Sequence, residues 1–377
     1  MADRLAESDE RAMLRTTVRE LLARTDPLAD ARQSHEGGPG FPPAGWEKLA
    51  EEIGAASIMV PEEHGGLGLG LADACVVLEE LAACCFAGPF LTSGVLAPLV
   101  LSVADQDVSA DWAALVDGHI YTVAGIHLGC GPGDWPATVT PEQGPEGWRL
   151  TGTASAVIHG MAADSLLVPA QHPDGIGVWH IVADAPGHQR IPLVTLDLTR
   201  AQSEHSFHNT PARLILTPSA RSAGPLEAVA SLAAIAVCAE QVGAARQVLA
   251  ATLDYVRTRY QFGRAIGSFQ AIKHRCADLS IAVEGAVASY LAARDAAERL
   301  PSPRAADDRE IRRLSSIAAA WCSETFLTVA AGCLQLHGGI GMAWEGDSHI
   351  YLRRAKTSEQ LFGTPVQHRA ALLRLLR

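Results

Sequence analysis

The hydrophobic period changes twice along the chain, and this constrains the fold more than any single motif. Over the first ~115 residues apolar positions recur with helical spacing. Leu71, Ala74, Cys75, Leu78, Leu81, Ala82 and Cys85 fall at i, i+3, i+4 and i+7 and mark one buried helix face. Pro39, Pro42, Pro43, Gly65, Gly66, Gly68 and Gly70 mark the loops around it. Between His119 and about Pro218 glycine and proline become dense. Short runs stand between turn signals there: Trp148–Thr151, Ser165–Val168, Val178–Val182 and Arg213–Leu216. Helical spacing returns from Leu226, over Ala228 to Arg257, on to Leu300, and from Asp308 to Gly332, with Pro301-Ser302-Pro303 as the break. Segregated helices and strands predict an α+β fold, not an alternating βαβ series. The boundaries predict an N-terminal helical domain over 1–117, a middle β-domain over 118–223 and a C-terminal helical domain over 224–377. Gly129-Cys130-Gly131-Pro132-Gly133 superficially resembles a dinucleotide fingerprint, but no helical pattern follows it, so it is read as a loop.

Composition narrows the function classes. Lys plus Arg is 30 against 42 Asp plus Glu, a formal charge of −12 over 377 residues. An acidic chain without a basic block is poorly suited to nucleic acid or an anionic membrane. Residues 1–15 alternate charge with apolar residues, unlike a signal peptide, so a cytoplasmic location is expected. Phe90–Ala104 is taken as the most apolar window; it carries Gly94 and Pro98 and falls short of the ~20 residues a span needs, so no membrane span is expected. Cysteines at 75, 84, 85, 130, 238, 276, 322 and 333 form no CxxC or Cys/His set, which predicts buried reduced thiols and no metal.

Three stretches carry recognisable patterns. They are VPEEHGGLGL over Val60–Leu69 followed by Glu79-Glu80-Leu81-Ala82, YVRTRYQFGRAIGSFQAIKH over Tyr255–His274, and QLHGGIG over Gln335–Gly341 running into YLRRAK over Tyr351–Lys356. In order and spacing they resemble the acyl-CoA dehydrogenases, and with the domain order the resemblance covers essentially the whole chain. It implies an N-terminal helical domain, a middle β-barrel-like domain and a C-terminal four-helix bundle. It also implies α,β-dehydrogenation of an acyl-CoA or acyl-carrier thioester in fatty-acid or lipid metabolism, with FAD across a subunit interface of a dimer or tetramer. A separate electron-transfer acceptor is implied as well. By the resemblance, the cofactor-binding residues are Arg259, Phe262, Gln270, Gln335, Gly338, Gly339 and Thr364. Their chemistry suits a dinucleotide. Arg259 offers a planar bidentate fork to pyrophosphate, Phe262 an aromatic face, Gln270 an amide that donates and accepts, and the glycines close backbone approach. His337, beside the glycine pair, is read as a structural hydrogen-bonded residue.

Where the family places its catalytic glutamate, after an Arg-Asp-Ala-Lys run, this chain has Arg353-Arg354-Ala355-Lys356 and then Leu361-Phe362-Gly363-Thr364. Phe362 therefore stands at the base position. The alternative base position, early in the helix before the Arg-x-x-Phe-Gly motif, falls on Ala233. The flavin-facing loop aligns with Val123–Asp134, and the segment that stacks on the isoalloxazine aligns with Ala156-Val157-Ile158. Motifs that hold a chain's own flavin have changed, while those reaching a neighbour's flavin remain. Glu240 is the one carboxylate in an otherwise apolar helix. It is the candidate catalytic base, since burial would raise its pKa, or else a paired buried polar residue. Glu345 and Glu359 are out of register. The resulting expectation is a heteromeric acyl-CoA dehydrogenase subunit that completes a paralogue's FAD site. The alternatives are a homomeric FAD enzyme with a relocated base, a flavin-free structural paralogue, and a flavin monooxygenase on the same scaffold.

Overall fold

The structure is a computed structural model that describes residues 8–35, 40–125, 132, 135, 138–219 and 223–375. Helices α1 (Asp9–Leu22), α2 (Pro27–His35), α3 (Pro43–Ile53), α4 (Leu71–Ala83), α5 (Ala97–Ser102) and α6 (Ser109–Val116) come first. A π-helical turn over Phe90–Leu96 leads into α5. The Ser8 side chain caps α1 by accepting from the Arg11 amide, and Gly54 ends α3 at φ 64°. Helix α4 is buried on every face from Ala74 to Ala82, beyond the single stripe its periodicity predicts. Its two buried carboxylates explain how. Glu80 accepts from Arg15 and Arg19 of α1, both at 2.6 Å, and Glu79 accepts from Tyr290 at 2.9 Å.

All the longer strands lie between Tyr121 and Ser219: β1 (Tyr121–Val123), β2 (Val139–Gly144), β3 (Gly147–Ile158), β4 (Ser165–His172), β5 (Gly175–Val182), β6 (His188–Leu193) and β7 (Gln202–Ser219). Their order is β1-β4-β5-β7-β3-β2, with β6 also on β7, and only β1 and β4 run parallel. The sheet folds around its own core of Leu150, Leu166, Trp179 and Phe207.

The C-terminal helices are α7 (Ala223–Thr258), α8 (Gln270–Glu298), α9 (Arg309–His337), α10 (Gly339–Met342), α11 (Ser348–Ser358) and α12 (Pro365–Leu375). A two-stranded hairpin, β8 (Tyr260–Gln261) and β9 (Arg264–Ala265), joins α7 to α8. Helix α7 is the spine of the molecule. A Cβ on Gly243 would lie 2.1 Å from the Glu79 carbonyl oxygen, so only glycine lets α7 cross α4 at this depth.

One expectation about apolar length is corrected. Three helices, Gly224–Thr258, Gln270–Glu298 and Arg309–His337, are long and apolar enough to cross a membrane by length and composition. The sequence reading missed them because their apolar character is spread over alanines. In the fold the most apolar window of α7 is 94% buried inside the protein, whereas that of α8 is 39% buried. Of the cysteines, Cys130 lies outside the described residues. The other seven are free, and all but Cys84 are buried. Burial pushes the Cys75 thiol up to about 12.

Candidate functional site

Six of the expected cofactor residues collect at one end of the bundle. Helix α7 ends at Thr258, so Arg259 is the first residue beyond it, and its amide still donates to Tyr255 O at 2.8 Å. Tyr255 stacks on His337 at 4.4 Å, which ties the C-terminal ends of α7 and α9 together. That contact sets Gln335, Gly338 and Gly339 at the same end of the bundle as the arginine. Gln270 opens α8 at the foot of the hairpin. Arg259, Phe262, Gln270, Gln335, Gly338 and Gly339 are all exposed. At the hairpin tip Phe262 and Gly263 have φ of 52° and 76°, as a two-residue I′ turn requires. Phe262 is thus held in a conformation phenylalanine rarely adopts and is left 91% exposed. Arg264 lies 3.9 Å over the Phe269 ring and braces the hairpin. His337 is structural, its Nδ1 2.9 Å from Cys333 O. Thr364 is not part of this group. It caps α12, where its amide and hydroxyl both donate to Gln367 Oε1, and it follows Phe362 at the opposite end of α7.

At that opposite end both family base positions are apolar and packed. Ala233 is fully buried, and Phe362 is buried edge-on against Trp135 at 6.4 Å. The Trp135 indole donates to Leu226 O at 3.0 Å. Most of the Val123–Asp134 loop lies outside the described residues.

Glu240 corrects the expectation that burial raises its pKa. It accepts from Arg200 at 2.5 Å and from Arg354 at 2.8 Å, all three side chains being almost fully buried. Burial alone pushes the carboxyl up, but the two guanidiniums outweigh it and hold Glu240 below the ordinary glutamate range. A carboxylate so clamped accepts bonds from fixed partners and is poorly placed to take a substrate proton; the geometry is that of the paired reading. Arg200 also donates to Ser358, and Arg354 donates to Thr199. Asp197 accepts from Thr199, so two acids and two arginines are locked between the β7 approach, α7 and α11. The sequence offered one signal for this cluster: a glutamate in an apolar helix needs a cation. It did not say that Arg354, at the place of the family's aspartate, supplies one, and Arg200 and Asp197 carried no signal. Glu345 is exposed, and Glu359 is paired with Lys356 at 3.0 Å.

The chain's own β-face fits a flavin poorly. Ala156, Val157 and Ile158 have no aromatic plane or hydroxyl to present, and Val157 and Ile158 are buried. Behind them runs a relay that is buried at Ser203 and His205 and half-buried at His188. Ser203 Oγ lies 2.8 Å from His205 Nε2, His205 Nδ1 lies 2.8 Å from His188 Nε2, and His188 Nδ1 donates to Ala183 O at 2.7 Å. The carbonyl fixes the direction, so each Nδ1 donates onward, each Nε2 accepts, and the Ser203 hydroxyl donates to His205 Nε2. A Cβ on Gly160 would sit 2.2 Å from His205 Nε2, so no substrate reaches this serine. The group at the bundle end, with its arginine, aromatic face, amides and bare glycines, does fit a dinucleotide.

Comparison with known proteins agrees with this geometry. The acyl-CoA dehydrogenase N-terminal domain model matches residues 8–116, and the C-terminal domain model matches residues 228–375. The chain is 33% identical to the acyl-CoA dehydrogenase IpdE2 of Mycobacterium tuberculosis over 95% of its own length and 94% of that protein's. Among solved structures it is similar to the ChsE4-ChsE5 complex from Mycobacterium tuberculosis, at TM-score 0.85 and 28% identity over 98% of each chain. It is equally similar, at TM-score 0.85 and 28% identity over 98% of each chain, to a Tcur3481-Tcur3483 steroid acyl-CoA dehydrogenase variant. By fold, motifs and relatives, the chain belongs to the acyl-CoA dehydrogenase family, whose members are FAD flavoproteins.

Proposed function

We propose that this chain is a subunit of a heteromeric acyl-CoA dehydrogenase and that it completes the FAD site of a paralogous partner. The observation that carries the reading is the one-sidedness of the site. The residues that reach outward, above all Arg259 and the strained, 91% exposed Phe262, stand in solvent on this chain. The positions that would serve its own flavin and its own proton abstraction hold Ala156, Ile158, Ala233 and Phe362. When bound, FAD supplies the hydride acceptor for α,β-dehydrogenation. This chain's part is to orient that group: Arg259 pairs with the pyrophosphate, Phe262 covers an aromatic or ribityl surface, and Gln270, Gln335 and the Gly338-Gly339 backbone satisfy polar edges. The partner supplies the base. Similarity to a two-component complex and to a two-component steroid enzyme supports the pairing, and makes a bulky polycyclic acyl thioester the first substrate to test.

The test is Arg259→Ala in the mixed complex. Losing a charge-assisted hydrogen bond costs about 1.5–3 kcal/mol, or ~10- to 150-fold in FAD affinity. The complex should stay assembled and lose flavin on dialysis. Arg259→Lys should recover only part, because an ammonium cannot reproduce the planar fork. Unchanged flavin content would overturn the reading.

A further inference from the structure

At the root of the hairpin that carries Phe262, a groove of about 390 Å³ runs between the end of α7 and the start of α8. That volume lies within the range of small-molecule sites. Val256 is 4% exposed and Cys276 7%, and half-buried Leu253 and Ile272 complete an apolar wall. Gly267 bounds the groove on the hairpin side. A Cβ there would lie 2.8 Å from the Val256 carbonyl oxygen, so only glycine lets the turn pack this tightly on α7.

The charge at this groove is unlike that of the rest of the chain. From Tyr255 to Ala277 there are five Lys or Arg residues and no Asp or Glu, in a protein of net charge −12. Two of the five, Arg257 and Lys273, line the groove, and they differ. Arg257 is paired with Asp254 at 3.1 Å. Lys273 has no carboxylate partner among the described residues and is exposed, so its stem can follow the wall while the ammonium stays at the mouth. Ser268 offers an anion nothing, because its hydroxyl donates to Ala265 O at 2.7 Å. An apolar wall with one unneutralised cation at its mouth matches an amphiphile with a single negative charge. The wall takes an alkyl tail, and one ammonium balances one carboxylate. A phosphate dianion would bring a second charge that nothing here balances. We propose that this groove binds a free alkyl carboxylic acid, its carboxylate on Lys273 and its tail against Val256 and Ile272. Among the described residues Arg259, Gln335, Gly338 and Gly339 do not line the groove, so the inference does not rest on the flavin-bridging reading.

Calorimetric titration of the full chain with hexanoate, octanoate, octanol and inorganic phosphate tests this. Burying one methylene is worth about fourfold in affinity, so octanoate should bind roughly fifteenfold more tightly than hexanoate. Lys273→Met keeps an apolar stem and removes the charge. Octanoate should then weaken about tenfold or more, while octanol should change by less than about twofold. Lys273→Arg keeps the charge and should stay within about threefold of wild type. Lys273 is exposed, so both variants should fold as wild type does. Equal binding of hexanoate and octanoate, octanoate affinity unmoved by Lys273→Met, phosphate bound more tightly than octanoate, or no binding of either acid would each overturn the proposal. The flavin-bridging reading stands or fails separately, on the Arg259 variants.

Discussion

Helix α7 ends by delivering Arg259 and a phenylalanine-tipped hairpin into solvent, while about 28 Å back along the same helix Glu240 is clamped between two arginines in the dry interior. Both regions are rich in polar groups, but they use them oppositely. In the interior, Glu240 is paired with two arginines of the same chain, and the pairing links the sheet to the bundle. At the exposed end the polar and aromatic groups have little to satisfy them on this chain, and Phe262 even holds an unfavourable backbone conformation there. The contrast teaches that charge near a family active site does not identify a catalytic group. What separates the two regions is whether each group finds its partners inside the chain.

The largest expected effect falls on the interior. Glu240→Leu leaves Arg200 and Arg354 buried without their counter-charge, and breaking such a pair typically costs about 3–5 kcal/mol. Urea unfolding should show that loss. A Glu240→Leu chain as stable as wild type would break the contrast, since the carboxylate would then be free for chemistry.

Acid should weaken the same interior. Burial first, with Arg200 and Arg354 beside it, pushes His159 down to about 3. Burial, with His188 and Arg190 nearby, does the same to His205, also to about 3, and burial takes His368 to about 4. These folded values lie below the ~6.5 of an unfolded histidine, so the unfolded chain takes up protons first. Stability is then full above about pH 6.5 and falls as pH drops toward 4 and then 3, by up to ~1.4 kcal/mol per pH unit for each group. Glu240, held below its ordinary range, adds a further loss once the carboxylate range is entered. Unfolding midpoints that stay flat between pH 7 and 5 would contradict this.

Much of the fold was legible because its signals are periodic. The runs at Trp148, Ser165, Val178 and Arg213 each fall within a strand, and Pro301-Ser302-Pro303 separates α8 from α9. Strands β2 and β6 were missed because they look like loops: each contains a proline, and β6 is largely exposed along its length, so no alternation is imposed on it. The exposed half of the site was legible as motif. The buried half was not, because Arg200 and Arg354 meet Glu240 only through tertiary packing.

A smaller effect tests the spine. Gly243→Ala puts a methyl group against the Glu79 carbonyl, so α7 and α4 must separate, at about 1–3 kcal/mol by thermal or urea unfolding. A neutral result would mean the crossing is looser than the structure shows. The smallest stability change belongs at the exposed end: Phe262→Ala should alter the chain's own unfolding by no more than about 0.5 kcal/mol, while the mixed complex retains less flavin. A large loss of stability in the isolated chain would place Phe262 with the interior set.

The most direct measurement is flavin stoichiometry by absorbance, on this chain expressed alone and together with an acyl-CoA dehydrogenase paralogue. The half-site account predicts a colourless chain alone and a yellow complex holding one FAD per two chains, with turnover only in the complex. A flavin-loaded homomer that oxidises acyl thioesters by itself would contradict it.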